Sequence, residues 1–90
     1  MNLKCEQITG TTSGIITCEN ASSSQITDGT VLQEARKAIV KHCKTKNPYL
    51  TFENSSGNGL MSAVYKYYCS ITVASAAFQN IFQSKIFPKT

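Results

Sequence analysis

Met61-Ser62-Ala63-Val64-Tyr65-Lys66-Tyr67-Tyr68-Cys69-Ser70-Ile71-Thr72-Val73 is the stretch that decides the fold. Met61, Ala63, Tyr65, Tyr67, Cys69, Ile71 and Val73 fall at every second position, with Ser62, Lys66, Ser70 and Thr72 on the alternate side. Period two is the mark of a β-strand with one face turned to a core. So many apolar positions on one face predict a strand in the middle of its sheet.

Toward the N-terminus, Asn54-Ser55-Ser56-Gly57-Asn58-Gly59 reads as a hairpin loop, with glycines where positive φ is needed. Tyr49-Leu50-Thr51-Phe52-Glu53 before it alternates apolar with polar and predicts the partner strand. Further upstream, Leu32, Ala35, Ile39 and Cys43 recur at helical spacing, flanked by Val31 and Ala38. Thr30 and Gln33 have the capping-box spacing, Asp28 is an alternative N-cap, and Lys46-Asn47-Pro48 stops the helix. The β-branched run Gly14-Ile15-Ile16-Thr17-Cys18 predicts a strand, broken by Asn20-Ala21-Ser22-Ser23-Ser24.

Toward the C-terminus, Ser75 opens a second helix through Ser84 with an Ala77, Phe78, Ile81, Phe82 stripe. Lys85-Ile86-Phe87 is a last edge strand before Pro88. The resulting order is β-α-β-β-α-β, which predicts an α+β fold: a two-layer ferredoxin-like split βαβ sandwich over residues 14–90. Residues 1–13 form an N-terminal arm, with a short edge strand at Leu3–Glu6 and turn-like residues at Thr9–Gly14. The first and third strands of the sandwich are expected to be central neighbours and to run parallel.

A core built from 90 residues is thin, because so short a chain buries only about 60% of its unfolded surface. Cross-links are the usual supplement. The cysteines Cys5, Cys18, Cys43 and Cys69 form no close C-x-x-C pair of the kind a zinc site needs. Two disulfides are therefore expected, each contributing about 2–4 kcal/mol. Three pairings are open. The expected topology favours Cys18 with Cys69, at one end of two neighbouring strands, and Cys5 with Cys43 at the other.

Asn20-Ala21-Ser22 and Asn54-Ser55-Ser56 are glycosylation sequons in segments that read as surface loops. Together with the disulfides they predict a secreted, extracellular protein, whose later entry into host cells is left open. The polar start Met1-Asn2-Leu3-Lys4 suggests a removed leader, with Met1 introduced for expression. No run of about 18 apolar residues occurs, so no membrane-spanning helix is expected.

The residues bound the chemistry. His42 is the only histidine, which excludes paired imidazoles. It precedes Cys43 on the helix, so the two side chains diverge by about 100° and make no nucleophilic pair. Glu6, Glu19, Asp28, Glu34 and Glu53 are scattered, and there is neither a glycine-rich phosphate loop nor a nucleophile elbow. No catalytic residue, cofactor or metal site is expected. Net charge is +4, with Arg36, Lys37, Lys41, Lys44 and Lys46 close together. Such a cluster is either a solvated helix face or a contact surface for an acidic partner. Tyr65 and Tyr67 are expected in the core; Tyr68 points the other way with Lys66. Lys37, Lys41, Lys44 and Tyr68 are therefore the candidate target-contact residues.

Two resemblances follow from these residues. The helix Glu34-Ala35-Arg36-Lys37-Ala38-Ile39-Val40-Lys41-His42-Cys43, the tyrosine-rich strand ending Tyr68-Cys69-Ser70-Ile71 and the amphipathic helix after it resemble the killer-toxin-like group of small secreted fungal proteins, over roughly residues 14–87. That resemblance implies an α/β sandwich acting as an effector or toxin during plant infection, without catalysis. The strand ending in Cys18, the helix with Val31 and Ala35, and Pro48-Tyr49 before a strand resemble the ribonuclease-like effectors of powdery mildews. Active members of that group use two histidines, a glutamate and an arginine. Here the histidines are missing from the matching strands and Arg36 is on the helix, which implies a catalytically inactive binder. Those folds pack one helix on a sheet, whereas the sequence predicts a second helix at Ser75–Ser84.

The expected partner is a host or competitor protein, an immune receptor included. Nucleic acid is not expected as a partner; a membrane surface is the third class. The chain is expected to be a monomer.

Overall fold

The computed structural model describes residues 2–70. The expected second helix at Ser75–Ser84, the strand at Lys85–Phe87 and the strand positions Ile71, Thr72 and Val73 lie outside them.

Four strands and two helices follow in the order β1 (Lys4–Gly10), β2 (Ser13–Ala21), α1 (Ser23–Thr27), α2 (Thr30–Cys43), β3 (Tyr49–Ser56) and β4 (Met61–Tyr68). The strands form one antiparallel sheet in the order β1-β2-β4-β3. The fold is thus a small α+β layer pair clamped by two disulfides.

β2 and β4 are the expected central neighbours, but they run antiparallel, with Ser13 opposite Tyr68 and Cys18 opposite Ala63. The reason is the connection. The crossover through α2 returns the chain so that β2 and β3 point the same way. The hairpin then reverses β4, which lies between them and is antiparallel to both. The ferredoxin-like order places the last strand beside β2. Here β1 holds that place, folded back from a turn at Thr11-Thr12. Gly10 and Gly14 stand opposite each other at this turn. A Cβ on Gly10 would strike the Ser13 carbonyl and one on Gly14 the Thr9 carbonyl, so the tight return needs both glycines.

The disulfide pairing differs from expectation for the same reason. Cys5 joins Cys18 and Cys43 joins Cys69. Cys5 lies directly across the β1–β2 ladder from Cys18. With β4 antiparallel to β2, Cys69 arrives at the start of β2, where its N–H donates to the Thr12 carbonyl at 2.8 Å. That is the end at which α2 delivers Cys43. A Cys18–Cys69 bridge would have to span the length of the sheet.

One face of the sheet carries the core. Ile16, Cys18, Ala63, Tyr65, Tyr67 and Leu50 meet Val31, Ala35 and Ile39 of α2. The alternation over residues 61–67 is as the sequence dictates. In β1 the period breaks: a bulge between Cys5 and Gln7 lets Cys5 and Ile8, three residues apart, both turn inward.

The helix starts differ from expectation. α2 follows Gly29 in the left-handed region, with no Thr30–Gln33 capping box. Asp28 is not the N-cap either; it lies one residue before Gly29, and its Oδ1 accepts from the Thr30 N–H at 2.9 Å and the Thr30 hydroxyl at 2.7 Å. These bonds hold the Asp28 carboxyl below its usual range. The capping box occurs instead at Ser22 and Gln25. It opens α1 inside the segment read as a break, because a Ser/Gln pair at this spacing satisfies the first free N–H groups.

Candidate functional site

α2 lays Val31, Ala35 and Ile39 on the sheet and turns its cationic side outward, past the edge of β1. A groove of about 860 Å³ runs between the two elements. Leu3, Cys5, Ala38 and Val40 supply apolar lining, and Lys4, Glu6, Glu34, Arg36, Lys37 and Lys41 supply charge. Lys4, Lys37 and Lys41 are exposed. Lys37 Nζ is 3.2 Å from Glu34 Oε2 one turn earlier, an exposed pair that holds the ammonium only weakly. Among the described residues no carboxylate pairs with Lys4 or Lys41. Arg36 is committed differently: its guanidinium donates to the Pro48 carbonyl at 2.8 Å and ties the helix to the start of β3.

Of the candidate contact residues, the fold brings Lys37 and Lys41 together on this groove. Lys44, the left-handed C-cap of α2, is exposed but does not line it. Tyr68 is on the opposite face of the sheet, tilted against Tyr49 with ring centres 6.1 Å apart. Lys4 joins the groove because the arm folds back on β2 as a strand longer than the short edge strand expected at Leu3–Glu6. Asn20 and Asn54 are not in loops: Asn20 lies one residue before the end of β2 in the left-handed region, with its amide donating to the Asn2 carbonyl, and Asn54 is an exposed residue of the edge strand β3.

At the far end of α2 the structure joins His42 to the β1–β2 turn. His42 Nε2 lies 3.0 Å from the Gly10 carbonyl and 3.1 Å from the Tyr67 hydroxyl, which donates to the Thr9 carbonyl at 2.9 Å. A carbonyl only accepts, so the network assigns the hydrogen to Nε2. The arrangement is a clasp between helix, central strand and turn. The sequence carried one signal for it: a buried tyrosine must find a partner for its hydroxyl.

Burial raises the pKa of both Tyr65 and Tyr67 above 10.0. The unfolded chain therefore loses these protons first. The contribution is complete below the ordinary tyrosine range and is lost as pH rises through the raised values. Stability is expected to fall above about pH 10. Tyr67→Phe, about 0.5–1.5 kcal/mol less stable at neutral pH through the lost hydrogen bond to the Thr9 carbonyl, should show a shallower alkaline decline. Urea midpoints at a series of pH values check both.

Among the described residues no helix is long and apolar enough to cross a membrane. No group of three or more possible metal ligands occurs among them. No protein-family model matches this chain, and comparison with curated proteins and with solved structures finds no match.

Proposed function

We propose that this chain is a secreted, effector- or toxin-type protein that acts by binding a host or competitor protein, without catalysis. The observation that carries this reading is the gathering of Lys4, Lys37 and Lys41 around an open, partly apolar groove. Two supports stand beside it. The pair of disulfides suits an oxidising, extracellular setting. The single imidazole has its Nε2 occupied by a main-chain carbonyl.

The test is charge reversal. Lys37→Glu combined with Lys41→Glu is expected to weaken target binding, or cell-death activity in plant tissue, by roughly tenfold or more. Stability should change by no more than about 0.5 kcal/mol, because both side chains are exposed. Unchanged activity would remove the groove from the function.

A second reading, a catalytically inactive ribonuclease-like effector, draws on one observation: the long helix α2 packed against an antiparallel sheet. Incubation with total RNA separates both of these binding readings from an active ribonuclease. The binder leaves RNA intact, and turnover that survives His42→Ala would demand a different mechanism. A membrane-active toxin would release dye from anionic vesicles, and the binder would not.

A further inference from the structure

The groove itself narrows the kind of partner. We propose that it receives an extended, acidic segment of a partner protein, with an apolar side chain seated on Leu3, Ala38 and Val40 and flanking carboxylates against Lys4, Lys37 and Lys41. This rests on the binding function proposed above and names its partner chemistry.

Three features of the groove point to this occupant. The first is charge. Lys4 and Lys41 have no carboxylate partner among the described residues, and Lys37 has one only through an exposed pair. These lysines sit on both walls, Lys4 on β1 and Lys37 and Lys41 on α2. An anionic segment between the walls meets positive charge on each side. The second is the floor. Its apolar lining is aliphatic, and among the described residues no aromatic ring lines it on which a base can stack. The third is the interruption of the cationic rim by Glu6 and Glu34. An unbroken phosphate backbone or an anionic lipid surface would be repelled at both. A peptide can place its carboxylates opposite the lysines and leave those two positions uncharged. The concave shape also favours a narrow chain over a flat membrane.

The experiment uses the full chain with both disulfides intact. The probe is a fluorescein-labelled peptide with a central leucine flanked by aspartate and glutamate, followed by anisotropy at low salt. Binding is expected, with affinity falling as ionic strength rises. Lys4→Glu, on the β1 wall, and the Lys37→Glu/Lys41→Glu pair should each weaken it roughly tenfold. Ala38→Trp, which fills the floor, should do the same. Lys44→Glu, outside the groove, should change it less than about twofold. Amide exchange should slow in Leu3–Glu6 when the peptide is added.

Any of four results overturns the proposal. Lys44→Glu could weaken binding as much as the groove variants, which makes the attraction diffuse. A lysine-flanked peptide could bind equally well. An RNA oligonucleotide or anionic vesicles could bind with the same lysine dependence. The peptide could bind and leave amide exchange in Leu3–Glu6 unchanged, which places it outside the groove. Ala38→Trp is discounted if it unfolds, since Lys4→Glu tests the opposite wall alone. Absent peptide binding with charge reversal still abolishing activity would leave the binding function standing and remove only this partner class.

Discussion

Replacing Cys43 and Cys69 together by serine is expected to lower stability by about 3–4 kcal/mol. The bridge closes a separation of 26 residues, which removes more freedom from the unfolded chain than the Cys5–Cys18 bridge with its separation of 13. Its place adds to its effect. It fastens the last turn of α2 to the end of β4, at the end where His42 and Tyr67 hold the β1–β2 turn. A domain of this size is stable by only about 5–13 kcal/mol in total. The variant should thus unfold at a much lower urea concentration, and the Cys5→Ser/Cys18→Ser variant should lose somewhat less. Equal midpoints for wild type and the Cys43/Cys69 variant would show that the helix is held by packing alone.

The second large effect is expected at Ile39. Its side chain is fully buried in the layer between α2 and the sheet, in the same cluster as Ile16, Tyr65 and Tyr67. Ile39→Ala removes the methylenes that couple the layers and leaves a cavity, at about 2–5 kcal/mol. Lys41→Ala, two residues on and exposed, should change stability by less than about 0.5 kcal/mol. Urea unfolding of the two variants reads the difference. Because α2 forms one wall of the groove, Ile39→Ala should also weaken groove binding without touching a groove residue. A loss under 1 kcal/mol at Ile39 would mean that the helix does not pack as described.

How much of this was legible in the sequence differs from element to element. The strand at 61–68 and the helix ending at Cys43 were readable because burial imposes its period on the chain, two for one and near 3.6 for the other. β1 was legible only as a fragment. Its inward residues, Cys5 and Ile8, are three apart because a bulge intervenes, so no alternating pattern marks it. That omission carried the disulfide error with it. With β1 taken for an arm, Cys5 had no strand partner, and parallel central strands drew Cys18 toward Cys69. The antiparallel direction of β4 was implied by the Asn54–Gly59 hairpin together with a helical crossover, and followed from topology rather than from any residue.

The candidate site was legible by half. Lys37 and Lys41 stood out because they lie one turn apart on a helix whose other side is apolar. Lys4 did not, because its proximity to them is created by the β1–β2 turn. Tyr68 was placed correctly on the face away from the core, yet α2 and the groove are on the other side of the sheet. His42 reads in the sequence as an ordinary surface residue. Its bond to Gly10 spans 32 positions and depends on the glycine turn opposite it.

The claim on which the groove depends is that β1 folds back against β2 as the outer strand beside α2, and the sulfur pairing reports this directly. Non-reducing digestion at lysine and glutamate, followed by mass spectrometry, separates Cys5 from Cys18 at Glu6 and isolates the Cys43 peptide between Lys41 and Lys44. Linked peptides joining Cys5 to Cys18 and Cys43 to Cys69 are the expected result. Peptides joining Cys18 to Cys69 and Cys5 to Cys43 would contradict the sheet order, and with it the groove.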